Sequence, residues 1–146
     1  MLIVSFWGQR ADKSLQVAIR RLVFAGSRSL DGDRLVDLMT CAEALFIKRA
    51  NHTSNAKGAP VAQAAAALVA DDPELSTDGA HLKRFMLMAY RARNAEVHGD
   101  DQPYAPLHRL SGAPTTTLAH VVTDAEHIMR RAISTVLDEH AAQPTS

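Results

Sequence analysis

Apolar residues recur every three or four positions in several separate segments of this chain, and glycine, proline or acidic residues divide one segment from the next. Such a stripe covers one face of an α-helix, whereas a half-buried strand alternates apolar and polar residues. No segment alternates in that way for long enough to predict a strand, and no internal repeat is evident. The sequence therefore predicts an all-α fold, a single bundle of four to five helices.

Polar and turn-forming segments mark the predicted helix ends. The predicted helices run from about Asp12 to Gly26, from Asp31 or Asp33 to Phe46, from Ala62 to Ala70, from Ser76, Thr77 or Asp78 to His98, and from Thr115, Thr116 or Thr117 to about His140. Gly99 is expected to take the left-handed conformation that closes the fourth helix. The alanine-dense third helix either lets a neighbour approach closely or is a short surface element.

The length of the chain favours one domain, and its balanced charge excludes a strong electrostatic field over the whole molecule. A chain of 146 residues is close to the commonest size of a single domain. We expect one domain over 1–146, with an N-terminal arm at 1–11 and a flexible tail at 141–146. Sixteen basic residues balance sixteen acidic ones, so any site for a polyanion must be a local patch.

The N-terminal segment is apolar from Leu2 to Trp7 but has no basic leader and no convincing cleavage site, so a packed arm is expected rather than a signal peptide. No apolar run approaches the roughly 20 residues that span a bilayer. The single cysteine, Cys41, lies in an apolar periodic segment, which favours a buried thiol and a reducing compartment. We therefore expect a cytoplasmic protein with no membrane partner.

The histidines do not predict a metal site. Two ligands on one helix face are expected three or four residues apart, and no pair of histidines has that spacing. His120 and His127 are seven apart, and such residues more often lie at the boundary of an amphipathic helix. No metal and no cofactor is therefore predicted.

The segment Tyr90–Asp100 holds the residues that best suit catalysis. Arg93 offers a planar fork of donors for phosphate oxygens, and His98, in the last turn of its helix, suits proton transfer near neutral pH. These two side chains are about 140° apart on an ideal helix. Either the helix end distorts, or a second copy completes the site. Asn94 shares a face with His98.

Arg93, the polar Asn94 and His98 resemble the signature of the HEPN domains, an arginine followed after four to six residues by a histidine. The chain is most similar to the ApeA-like HEPN branch, in the segments Asp33–Leu38, Ala42–Phe46 and Tyr90–Gly99. The likeness runs from about Leu15 to His98 and covers most of the chain.

The resemblance implies a HEPN-like helical bundle, a homodimer that brings two motifs together, and metal-independent RNA cleavage in toxin–antitoxin, phage-defence or RNA-processing systems. By that resemblance Arg93 holds the scissile phosphate, His98 acts as general acid or base, and Asn94 orients one of them. Glu43 is expected to pair with Arg91, Arg93 or His98, because it interrupts an apolar face. The other expected substrate-binding or supporting residues are Tyr90, Arg91, Lys83 and Arg84.

One feature departs from a branch of the family in which a modified tyrosine stands two residues after the histidine. This chain has Asp100 there, which argues against that modified-toxin arrangement. The alternative function is a non-catalytic HEPN module that binds RNA or a protein partner. For Arg93 and His98 the structural alternative is an arginine paired with a carboxylate and a histidine that ends a helix.

Overall fold

A computed structural model describes residues 13–47, 58–99 and 106–142 as five α-helices and one short antiparallel ladder. The elements are α1 (Lys13–Ser27), α2 (Asp31–Phe46), α3 (Gly58–Val69), α4 (Gly79–His98), β1 (Leu107–His108), β2 (Pro114–Thr115) and α5 (Leu118–Ala142). The predicted all-α bundle of four to five helices is confirmed. The predicted arm at 1–11 lies outside the described residues, and α5 reaches into the range 141–146 that was predicted as a tail.

Helix α2 is the centre of the bundle, since it contacts each of the other four helices. Its buried side chains include Leu35, Leu38, Met39 and Phe46, all fully inaccessible to solvent. Burial of a side chain of this size stabilises the folded state by about 1.5–3 kcal/mol. Cys41 is buried in the same core, as predicted. Burial raises the pKa of its thiol to about 12.

A buried carboxylate connects α1 to α2. Asp37 is 3% exposed, and its two oxygens accept hydrogen bonds from Arg28 Nε at 2.8 Å and Arg21 Nη1 at 3.3 Å. Burial of a carboxylate is costly unless hydrogen-bonded cations replace its water. This contact therefore fixes the turn between the two helices.

Helix α3 packs along α4 and is not an isolated surface element. Val61, Ala62, Ala65 and Val69 of this helix are buried. Its first residue, Gly58, lies so close to α4 that an added Cβ would be 3.4 Å from the Tyr90 ring. The small side chains thus let the start of α3 approach the second half of α4.

Both ends of α4 follow the expected capping pattern. Asp78 is the N-cap and accepts a 2.8 Å hydrogen bond from the His81 backbone N–H. Gly99 is the C-cap in the left-handed region, with φ of 63°. The spacing of apolar residues along this helix also predicts Val97 on its apolar face, but Val97 is 52% exposed.

The segment before α5 contains the ladder that alternation did not predict. Leu107 pairs with Thr115 and His108 with Pro114. Arg109 follows β1 and donates two hydrogen bonds to Asp124 of α5, at 2.8 and 2.9 Å. These bonds hold the ladder against the first turns of the last helix.

Candidate functional site

Arg93 lies where α4 faces α2, and three neighbours fix its guanidinium group. Its Nη2 is 3.4 Å from Glu43 Oε1, and its Nη1 donates a 3.0 Å hydrogen bond to Asn94 Oδ1. The guanidinium carbon is 5.4 Å from the centre of the Tyr90 ring, within the range of a cation–π contact. We call Glu43, Tyr90, Arg93 and Asn94 the arginine clamp.

Tyr90 is the most buried member of the arginine clamp, at 9% exposure. Its hydroxyl donates a 2.7 Å hydrogen bond to Glu43 Oε1. Burial, followed by the bond to Glu43, raises the pKa of the Tyr90 hydroxyl to about 12. The group therefore remains a neutral donor at every physiological pH and helps to hold the Glu43 carboxylate.

The guanidinium group retains donors that the arginine clamp does not use. The Arg93 side chain is 22% exposed, and its Nε is buried without a hydrogen-bond partner in the parts of the chain that the structure describes. A buried donor without a partner costs about 1–3 kcal/mol. The arginine clamp thus holds Arg93 in one orientation although Nε has no partner among the described residues.

His98 lies apart from the arginine clamp. It is an exposed residue in the last turn of α4, which stays α-helical up to Gly99. Without distortion at the helix end, the separation of about 140° from Arg93 persists. The two residues therefore do not face one point within a single copy of the chain.

The other predicted site residues are Lys83, Arg84 and Arg91 on the solvent side of α4, and Glu43 on α2. Lys83, Arg84 and Arg91 are exposed, and Lys83 Nζ contacts Gln63 Oε1 of α3 at 3.4 Å. Of the three partners considered for Glu43, the structure places Arg93 beside it. The Tyr90 hydroxyl is a Glu43 partner that the sequence did not predict.

Glu96, inside the segment between Arg93 and His98, is a residue that sequence reasoning missed. Its carboxylate lies against Gly32 in the first turn of α2, so closely that a Cβ at Gly32 would collide with it. The N-cap of α2 is Leu30, which has no side chain able to bond the first N–H groups. A carboxylate at this position is favourable for the positive end of the α2 dipole.

The sequence predicts the start of α2 at Asp31 or Asp33, whereas the structure has Leu30 as the N-cap, with no side-chain hydrogen bond. The need for an acceptor from elsewhere in the fold therefore becomes visible only in the structure. Glu96 couples the end of α4 that carries His98 to the beginning of α2. The arginine clamp connects the same two helices one turn earlier along α4.

Neither a metal-binding cluster nor a membrane-spanning helix emerges from the residues that the structure describes. Within 13–47, 58–99 and 106–142, no three His, Cys, Asp or Glu side chains gather closely enough to hold a metal ion. Over the same ranges, each helix falls short of the length and apolar character that a membrane span requires.

No protein-family model matches the chain, and neither a curated protein nor a solved structure is significantly similar to it.

Proposed function

We propose that this protein is a HEPN-type, metal-independent endoribonuclease that works as a homodimer. In this proposal Arg93 binds the scissile phosphate and stabilises the charge that develops on its oxygens. His98 exchanges protons as the ribose 2′-hydroxyl attacks the neighbouring phosphorus and the 5′-oxygen leaves. The products are a 2′,3′-cyclic phosphate and a free 5′-hydroxyl, and no cofactor takes part.

The observation that carries this proposal is the arginine clamp. A free arginine side chain loses conformational entropy when it binds, whereas the contacts with Glu43, Asn94 and Tyr90 already restrict Arg93. Charge stabilisation is most effective when the donors are oriented before the reaction begins. Glu43 lowers the net charge at the site, so the proposal assigns it a positioning role rather than a catalytic one.

The separation of Arg93 from His98 supports a dimeric site. Since α4 is regular to its end, one copy would supply Arg93 and the other His98 to the same phosphate. A two-fold axis near the end of α4 generates two such sites. The Glu96 contact with Gly32 holds this end of α4 against α2 and would keep both contributions in register.

The proposed activity also implies a biological role for the protein. A toxin or phage-defence component of the cytoplasm, restrained by an antitoxin or an adjoining domain, is the role that HEPN resemblance implies. RNA is the substrate in each case.

The test is RNA cleavage by purified protein in the presence of EDTA. We expect cleavage to continue, and Arg93→Ala and His98→Ala to abolish it while Arg130→Ala, an exposed arginine of α5, leaves it unchanged. Absence of cleavage by the parent protein, or full activity of His98→Ala, would overturn the proposal.

The second candidate is a non-catalytic helical module, favoured by the fact that the arginine clamp also connects α2 to α4. In that case Arg93→Ala lowers the melting temperature and the dimer fraction, and no variant changes any RNA product.

A further inference from the structure

Three cationic or protonatable residues form a row along the outer side of α4. Arg84, Arg91 and His98 are seven residues apart, which places successive members about 20° from one another around the helix. All three are exposed. At a rise of about 1.5 Å per residue, the row is about 21 Å long. We call Arg84, Arg91 and His98 the outer row.

No carboxylate neutralises the outer row in the described part of the chain. Neither Arg84 nor Arg91 has a described ion pair there, whereas Arg21, Arg28, Arg109, Arg130 and Arg131 all do. Glu96 is the one acidic residue within α4, and it lies against α2. The neighbouring α3 contains no charged residue. Among the residues that the structure describes, no acidic side chain therefore competes with a ligand for Arg84 and Arg91.

We propose that the outer row binds the sugar–phosphate backbone of an RNA strand and leads it to His98. This inference rests on the proposed function, because RNA is the polyanion which that function supplies. Residues on opposite sides of α4 then have different roles. Arg93, on the inward side, acts on the scissile phosphate, while Arg84 and Arg91 contribute affinity along the strand.

Lys83 does not belong to this surface. It lies about 100° from Arg84 around the helix, and its ammonium group contacts Gln63 on α3. A substitution of Lys83 is therefore expected to affect RNA binding less than one of Arg84 or Arg91.

Contacts with phosphates carry no base information and release counterions. Binding by the outer row should therefore be insensitive to sequence and strongly dependent on salt. Each phosphate contact on a single strand contributes about 0.7 to the slope of log K against log salt concentration. Two arginines should together account for about 1.4 of that slope.

The test measures fluorescence anisotropy of a labelled 2′-O-methyl RNA oligomer, which lacks the nucleophile and is not cleaved, over a series of KCl concentrations. Arg84→Ala and Arg91→Ala should each weaken binding about threefold to tenfold at low salt and reduce the slope by about 0.7. Arg20→Ala, an exposed arginine of α1, is the matched control and should change neither quantity.

Three results would overturn the proposal: unchanged slopes in Arg84→Ala and Arg91→Ala, an equal loss in Arg20→Ala, or displacement of the RNA by polyglutamate as effectively as by unlabelled RNA. The last outcome would indicate an acidic protein partner. Because the probe cannot be cleaved, a protein that binds as predicted but never cuts RNA refutes only the proposed function. A protein that cuts RNA without using Arg84 or Arg91 refutes only the outer row.

Discussion

The Tyr90 hydroxyl and the Glu43 carboxylate are joined by a 2.7 Å hydrogen bond between helices α4 and α2. The bond connects residues 47 positions apart and places the carboxylate beside Arg93. It shows how a residue far from the segment 93–98 fixes the orientation of that segment's arginine.

Replacing Tyr90 by Phe should lower the free energy of unfolding by about 1–2 kcal/mol, because the Glu43 carboxylate loses a donor in a mostly buried position. Urea denaturation measures this change. Glu43→Gln is the matched control, since its amide oxygen still accepts the bond and a smaller loss is expected. Equal stability of Tyr90→Phe and the parent would contradict the role assigned to the bond.

Alkaline titration tests the environment of the same hydroxyl. In a Tyr104→Phe background, Tyr90 is the remaining tyrosine and its ionisation can be followed by ultraviolet absorbance. The midpoint should lie near pH 12, against an ordinary value of 10.0. Since the unfolded chain ionises first, the stabilisation is complete below pH 10 and disappears as the pH rises toward about 12. A midpoint near 10 would argue for an exposed hydroxyl.

Asp37 should be the acidic residue of α2 whose loss is most costly. Asp37→Ala removes a buried acceptor from two arginines and should destabilise the protein by about 2 kcal/mol. Asp33→Ala, an exposed carboxylate on the same helix, is the control and should have a much smaller effect. Chemical denaturation distinguishes the two, and similar losses would refute the importance of burial at Asp37.

Gly99 ends α4 in a conformation that other residues rarely adopt. Gly99→Ala should cost about 1 kcal/mol through backbone strain alone, since no atom lies within 4 Å of the added methyl group. Gly26→Ala, in a helical backbone with equally open space, should stabilise the protein by about 0.5–1 kcal/mol. If both substitutions stabilise, the left-handed cap does not contribute as described.

The helices could be predicted because their signals are local. The apolar stripes, the Asp78 cap and Gly99 each act within one or two turns, and the observed ends of α4 match them. The two-residue strands β1 and β2 are too short for an alternating pattern to appear. The Asp37 contacts were not predicted because a single acidic residue in an apolar stripe does not identify the cations that approach it.

Less of the candidate site than of the fold could be predicted from the sequence. The spacing of Arg93 and His98 left open whether the helix end distorts, and the structure shows that α4 stays helical to His98. The contacts of Tyr90 with Glu43 and of Glu96 with Gly32 depend on how α2 and α4 pack, which no local pattern encodes. Assignment of RNA cleavage to these residues stays a prediction.

Subunit mixing tests the central claim most directly. Arg93→Ala and His98→Ala proteins are mixed in equal amounts, allowed to exchange subunits, and assayed for RNA cleavage in EDTA. After exchange, about half of the dimers contain one subunit of each variant. If Arg93 of one copy acts with His98 of the other, each mixed dimer regains one of its two sites. The mixture should therefore recover about a quarter of the parent activity. A mixture no more active than either variant alone would contradict the composite site.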